Sequence, residues 1–273
     1  HMDADEIKQL QRQVSKLQLE AKLRKSVANE LERQKNLVQK ARDEAEEQRA
    51  KFERASERLS QYLSPQICEQ ILGSEEFSGL ETNKKNLTIF FSDIVDFTAL
   101  SERMSPDELK NFLHFYMTEM SNIAIEFGGT IDKYIGDSIM VFFGDPDTDG
   151  DSEDAKKCFR MALRMQETLK DRRLQIKNDF NLHEPLRIRI GIHSGSCSVG
   201  NFGSKHRLEY TAIGRAVNVA ARLEKACEEE GVLCSEATAT LLKDDAVNLR
   251  LRHVKAKGVD GLITAFQWNI RDV

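Results

Sequence analysis

The chain has 273 residues, 31% of them charged, and a formal net charge of only −5. Its length holds one large domain plus an appendage. The near balance of charge argues against a dedicated nucleic-acid surface, and no apolar run approaches the ~18 residues that a membrane span needs.

His1-Met2 reads as a cloning remnant and is set aside, which implies a longer parent chain. Residues 3–63 contain no Gly or Pro and are rich in Lys, Arg, Glu and Gln. Ile7, Leu10, Val14, Leu17, Ala21, Ala28, Leu31 and Val38 fall on a and d positions of one heptad frame. Beyond it Ala41, Ala45, Gln48, Phe52, Ala55, Leu59 and Tyr62 fit a shifted frame, so the register breaks near Val38–Ala41. A helix this long with an apolar stripe has to bury that stripe. The expectation is a parallel dimeric coiled coil with a weak middle, a stalk relaying a change from an upstream sensor. Residues 64–85 form the joint. Ser64-Pro65 starts a short helix that Gly73 stops, and 74–85 reads as a polar linker.

From Asn86 to Val273 the pattern is mixed. A strand over 86–92 comes first. Ser105-Pro106-Asp107-Glu108 is an N-cap, a first-turn proline and a capping-box glutamate, so a helix runs from 106 to about 127. Strands over 130–135 and 138–143 flank Gly136-Asp137 as a tight hairpin. A helix over 151–177, strands over 186–193, 196–202 and 207–212, a helix over 214–229 and a strand near 263–269 complete the chain. The order β-α-β-β-α-β predicts an α+β, ferredoxin-like core with additions. Asp145-Pro146-Asp147-Thr148-Asp149-Gly150 begins like a calcium loop, but its twelfth position is Lys156, so it reads as an acidic surface turn. Cys68, Cys158, Cys197, Cys227 and Cys234 lack C-x-x-C spacing and fit reduced thiols in a cytoplasmic compartment. His193 lies in an apolar strand and reads as a satisfied core residue. No Ser-His-Asp or Cys-His arrangement stands out.

Two carboxylates carry the chemistry. Asp93 closes the apolar run Leu87–Phe91, and Asp137 sits in the hairpin turn. Either alone is an ordinary strand-end aspartate; together they suit hard divalent cations, which take one or two carboxylates plus substrate phosphates.

These segments, with Tyr210-Thr211-Ala212-Ile213-Gly214-Arg215-Ala216-Val217-Asn218-Val219-Ala220-Ala221-Arg222-Leu223-Glu224, resemble the catalytic domain of class III nucleotide cyclases over roughly residues 60–270. The resemblance implies a head-to-tail homodimer with two shared sites. It assigns two Mg²⁺ or Mn²⁺ ions per site to Asp93, Asp137 and the Ile94 carbonyl. Backbone N–H groups of 94–98 would cradle phosphates, with Thr98 in that turn and Phe97 packing under it. Asn218 and Arg222, four apart on one helix face, would reach the ribose and the α-phosphate from the partner. Lys255 or Lys257 would serve the terminal phosphates; spacing leaves both open.

Lys133 and Thr211 fall at the base-reading positions. A lysine only donates, which suits adenine N1 and not the N1–H of guanine. The expected activity is therefore adenylyl cyclase, ATP to 3′,5′-cyclic AMP and pyrophosphate. Threonine at 211 resembles a prokaryotic-type subclass in which bicarbonate stimulates. The parent could be membrane-anchored. Competing readings are a guanylyl cyclase, a silent nucleotide-binding module, or a scaffold whose function is the coiled coil.

Overall fold

The computed structural model describes residues 4–73, 82–245, 248–255 and 261–272. It divides into the N-terminal helical unit and a compact unit from Leu63 onward.

Helix α1 (Ala4–Leu59) is continuous for 56 residues and has no buried side chain. Ile7, Leu10, Val14, Leu17, Leu31, Val38 and Phe52 are all exposed on it. Just past the break in the heptad frame, Lys40–Glu44, Arg42–Glu46, Glu47–Lys51 and Arg49–Glu53 pair at i,i+4. Such exposed pairs add ~0.2–0.5 kcal/mol each and support the helix where its apolar pattern is weakest.

The second unit runs α2 (Pro65–Gly73), β1 (Thr82–Ile94), α3 (Phe97–Ser101), α4 (Pro106–Glu126), β2 (Thr130–Ile135), β3 (Ser138–Phe143), α5 (Asp151–Asp171), α6 (Arg173–Asp179), β4 (Ile188–Ser204), β5 (Arg207–Ile213), α7 (Arg215–Ala226), β6 (Gly231–Ser235), α8 (Glu236–Leu242), β7 (Arg250–Lys255) and β8 (Leu262–Asn269). The sheet order is β2-β3-β1-β4-β6-β8-β7, with β5 paired to β4. Its β4-β1-β3-β2 portion is antiparallel throughout, the expected ferredoxin-like core. The β4-β6 pair is parallel.

Helices cover both faces of β1, which is why its sequence is apolar without alternation. Phe90 and Ile94 join α4 and α5 in the main core. Leu87, Ile89 and Phe91 face the other way, toward Ala216 and Ala220 of α7. The capping box at Ser105 forms in full. All five cysteines are buried and free. His193 donates to or accepts from Ser235 Oγ through Nδ1 at 2.8 Å, a satisfied residue as expected.

Four expectations need correction. The linker is shorter than 74–85: Thr82–Asn86 already pairs with Gly200–Ser196 of β4, because ladder bonds need backbone groups and no apolar side chains. The two strands expected at 186–193 and 196–202 are one. Gly195 is not a break but a close-approach site, where an added Cβ would stand 3.2 Å from that of Ala216. The helix expected over 151–177 breaks at Arg172, whose guanidinium lies 5.2 Å from the Phe115 ring and pairs with Glu119 of α4. Asp145 is buried, not a surface residue; it pairs with Lys85 and accepts from Tyr210.

Candidate active site

The side-chain period of β1 puts Asp93 on the α7 face, in line with Leu87, Ile89 and Phe91. Asp137 is the second residue of the β2–β3 turn. Gly136, the first, has φ +65°, as a type II′ hairpin requires. That turn delivers Asp137 Oδ2 to the backbone N–H of Ile94, which donates at 2.9 Å. The two carboxylates thus lie near each other at the end of β1, and each shifts the other's pKa.

Asp93 is 8% exposed. Its Oδ2 accepts from Lys225 Nζ at 2.9 Å and from Arg189 Nη2 at 3.4 Å. Burial pushes its pKa up, but the Asp137 hydrogen bond, Lys225 and Arg189 together hold it below the usual carboxylate range. Asp137 goes the other way. Burial and the neighbouring Asp93 raise it to about 6, against the Ile94 N–H. Glu224, also buried, is raised to about 7 by desolvation and by Asp93. Crowded carboxylates beside a lysine ammonium are the environment a divalent cation would relieve, and two carboxylates with a backbone carbonyl are a donor set that Mg²⁺ accepts. Among the described residues no group of three or more His, Cys, Asp and Glu is arranged to hold a metal ion by itself.

The phosphate turn is narrower than expected. The N–H of Ile94 holds Asp137, and that of Val95 donates to the Arg187 carbonyl at 2.9 Å. This leaves the N–H groups of 96–98. Asp96 caps α3 in the left-handed region at φ 55° without a side-chain bond. Thr98 is exposed, and Phe97 packs against the main core beneath the turn.

The α7 helix crosses β4 at Gly191, where an added Cβ would stand 2.1 Å from Glu224 N and 2.5 Å from the Ala220 carbonyl oxygen. Asn218 is exposed and Arg222 half-buried on α7. Among the described residues neither side chain has a hydrogen-bond or ion-pair partner. With Lys225 they line one stripe at i, i+4 and i+7.

Lys133 of β2 and Thr211 of β5 both lie against Asp132, although the two strands are not laddered to each other. Thr211 Oγ1 donates to Asp132 Oδ2 at 2.6 Å. Lys133 Nζ lies 3.6 Å from Asp132 Oδ1 and 3.0 Å from Glu209 Oε2. Lys255 is exposed at the end of β7, whereas Lys257 lies outside the described residues. Sequence reasoning missed Lys225, Arg189 and Asp132. Only the position of Lys225, on the same helical stripe as Asn218 and Arg222, hinted at its place.

A buried carboxylate pair at the end of the central strand of a ferredoxin-like sheet defines the class, and comparison with known proteins gives the family. Residues 81–268 match the model of the adenylate and guanylate cyclase catalytic domain, and the chain belongs to that family. Adenylate cyclase 1 of Rhizobium meliloti is 35% identical over 202 residues, which cover 72% of this chain and 29% of that protein. The chain therefore spans less than a third of that relative. The crystal structure of the adenylyl cyclase CyaB from P. aeruginosa is 44% identical, with a TM-score of 0.64 over 71% of this chain and 100% of that one. The guanylyl cyclase Cya2 is 30% identical, with a TM-score of 0.62 over 69% of this chain and 93% of that one. Both base specificities thus occur among similar folds.

Proposed function

We propose that this cyclase domain converts ATP to 3′,5′-cyclic AMP and pyrophosphate at two sites shared across a head-to-tail homodimer. The observation that carries the choice of base is that Lys133 and Thr211 both lie against Asp132. The ammonium offers only donors, which suit adenine N1; the Thr211 oxygen can accept from the adenine amino group. Guanine, with N1–H and O6, mismatches both.

Asp93, Asp137 and the Ile94 carbonyl would hold two Mg²⁺ or Mn²⁺ ions. When bound, these supply Lewis acidity to the ribose 3′-hydroxyl and neutralise the triphosphate. The reaction forms the 3′-O–Pα bond, with the hydroxyl proton passing to water, and breaks the bond from Pα to the bridging oxygen, which leaves on pyrophosphate. Arg222 stabilises charge on the transferring phosphate, where an arginine fork fits better than a point charge. Asn218 orients the ribose. The free N–H groups near Phe97 and Thr98, with Lys255 or Lys257, take the β- and γ-phosphates.

Sharing between subunits is supported by α7. Lys225 reaches Asp93 within one chain, but Asn218, seven residues earlier, lies roughly 10 Å up the helix at ~1.5 Å per residue. A second copy brings the unpartnered Asn218 and Arg222 to the ribose and the α-phosphate. The exposed apolar stripe of α1 suits a parallel coiled coil that relays an upstream sensor's state to the catalytic unit that follows it. We place the enzyme in the cytoplasm; among the described residues no helix is long and apolar enough to cross a membrane. Bicarbonate stimulation is part of the same proposal.

Conversion of ATP and of GTP, each with Mg²⁺ or Mn²⁺, by wild type and Asp137→Ala tests the reading. Cyclic AMP from ATP alone, absent in the variant, is expected. Cyclic GMP as the main product would replace the adenylyl reading with a guanylyl one, and no product from either nucleotide would favour a binding module.

A further inference from the structure

The β2–β3 ladder slips by one residue. Ile131 faces Val141, yet Lys133 faces Met140, so Asp132 is the extra residue of a β-bulge. Consecutive residues of a regular strand point to opposite faces. The bulge removes that alternation, and both Asp132 and Lys133 reach β5, the one touching Thr211 and Ala212, the other Glu209.

The Asp132 side chain is 1% exposed. Its Oδ2 accepts two hydrogen bonds, from Thr211 Oγ1 at 2.6 Å and from the Ala212 backbone N–H at 3.2 Å. Its Oδ1 has no hydrogen-bond partner, only the Lys133 ammonium at 3.6 Å. A carboxylate with no proton to give fixes the direction of the first of these bonds. The single hydroxyl hydrogen of Thr211 is committed to Asp132, so toward a ligand Thr211 can only accept.

We propose that Asp132 is the positioning residue that sets base selectivity, by making Thr211 an obligate acceptor facing the 6-position of the purine. This inference rests on the base-reading role proposed above for Thr211. An obligate acceptor pairs with the amino group of adenine. Against the O6 of guanine it opposes two acceptors, leaving both unsatisfied in a desolvated site. Without Asp132 the hydroxyl can rotate and donate to O6. Asp132 also stands under the Lys133 ammonium, so one buried carboxylate orients both base readers.

The test is the ratio of kcat/KM for GTP to that for ATP, measured with Mn²⁺ on the full chain. Asp132→Ala should raise that ratio roughly ten-fold or more, the usual order for relieving one unsatisfied buried polar contact. In Asp132→Asn the Ala212 N–H keeps the side-chain oxygen, not the amide nitrogen, beside Thr211. The hydroxyl stays committed, and the ratio should remain within about three-fold of wild type. Asp132→Leu replaces the alanine variant if that variant loses its thermal transition. A folded alanine or leucine variant with an unchanged ratio would overturn the inference. So would an asparagine variant that shifts as far as alanine, since charge rather than hydroxyl direction would then be at work. Loss of the thermal transition in both apolar variants would make Asp132 a purely structural carboxylate. Wild-type turnover separates the two levels. If wild type fails to prefer ATP, the adenylyl reading itself fails; if it prefers ATP while the ratio ignores Asp132, only the inference does.

Discussion

Replacing Gly191 by alanine should disable catalysis from a position that touches no substrate. The added methyl would stand 2.1 Å from Glu224 N, 2.5 Å from the Ala220 carbonyl oxygen and 2.7 Å from Glu224 Cα. All three are backbone atoms of α7, so no side chain can swing aside. Restoring an ordinary contact of ~3.4 Å from the present 2.1 Å requires a retreat of about 1.3 Å. The sheet side cannot give, because Gly191 is laddered to Phe91 of β1 and to Leu233 of β6. Overpacking of this kind costs ~1–3 kcal/mol, and a 1 Å displacement of catalytic groups costs about 10²-fold in rate. The helix that moves carries Asn218, Arg222 and Lys225. Urea denaturation should show a stability loss of a few kcal/mol, and kcat for cyclic AMP should fall about 100-fold. Gly195→Ala is the control: its nearest neighbours, Ala216 Cβ and His193 Nε2, stand at 3.2 Å, so it should cost ten-fold or less. A folded Gly191→Ala enzyme with wild-type kcat would refute the claim that α7 is located by that contact.

Three further outcomes can be checked. An Asp93→Ala subunit mixed with an Arg222→Ala subunit should regain part of the activity each lacks alone, through one intact site; a mixture as inactive as its components would sink the shared-site arrangement. Lys225→Met should lower the Mn²⁺ concentration for half-maximal activity about three-fold, because the ammonium 2.9 Å from Asp93 Oδ2 competes with the cation; an unchanged or higher requirement would argue that Lys225 leaves Asp93 when nucleotide binds. Burial, aided by Arg215, depresses the His193 pKa to about 4. The unfolded chain then binds a proton from pH ~6.5 downward while the native one refuses it, so stability is lost as pH falls from 6.5 toward 4. The amount is up to about 3 kcal/mol, and His193→Gln should flatten that slope in urea titrations at pH 7.5 and 5.

What was legible in the sequence was local. The β2–β3 hairpin follows from a Gly-Asp turn between short apolar runs, and the start of α4 from its capping box. Asp93 and Asp137 were found because each closes an element of clear pattern. The misreadings share one cause, tertiary adjacency. Ser194-Gly195-Ser196 has the composition of a turn, but the strand runs straight through it, with Ala216 of α7 close above the glycine. Asp132 meets Thr211 across 79 positions, and Lys225 meets Asp93 across 132. No spacing rule reaches that far. The bulge at Asp132 is invisible for another reason: one extra residue in six leaves no trace in a two-residue period that is already irregular.

The five buried thiols also make the catalytic unit its own reporter. Each of Cys68, Cys158, Cys197, Cys227 and Cys234 is 8% exposed or less, and burial raises every one of their pKa values. A thiolate reagent therefore finds little to attack in the folded chain, and labelling becomes a clock for opening. The cysteines sit in different layers: Cys158 in α5, Cys197 on the α7 face of β4, Cys234 in β6. Mass-resolved labelling of an unmodified protein would thus reveal which layer opens first, with no probe engineered into it.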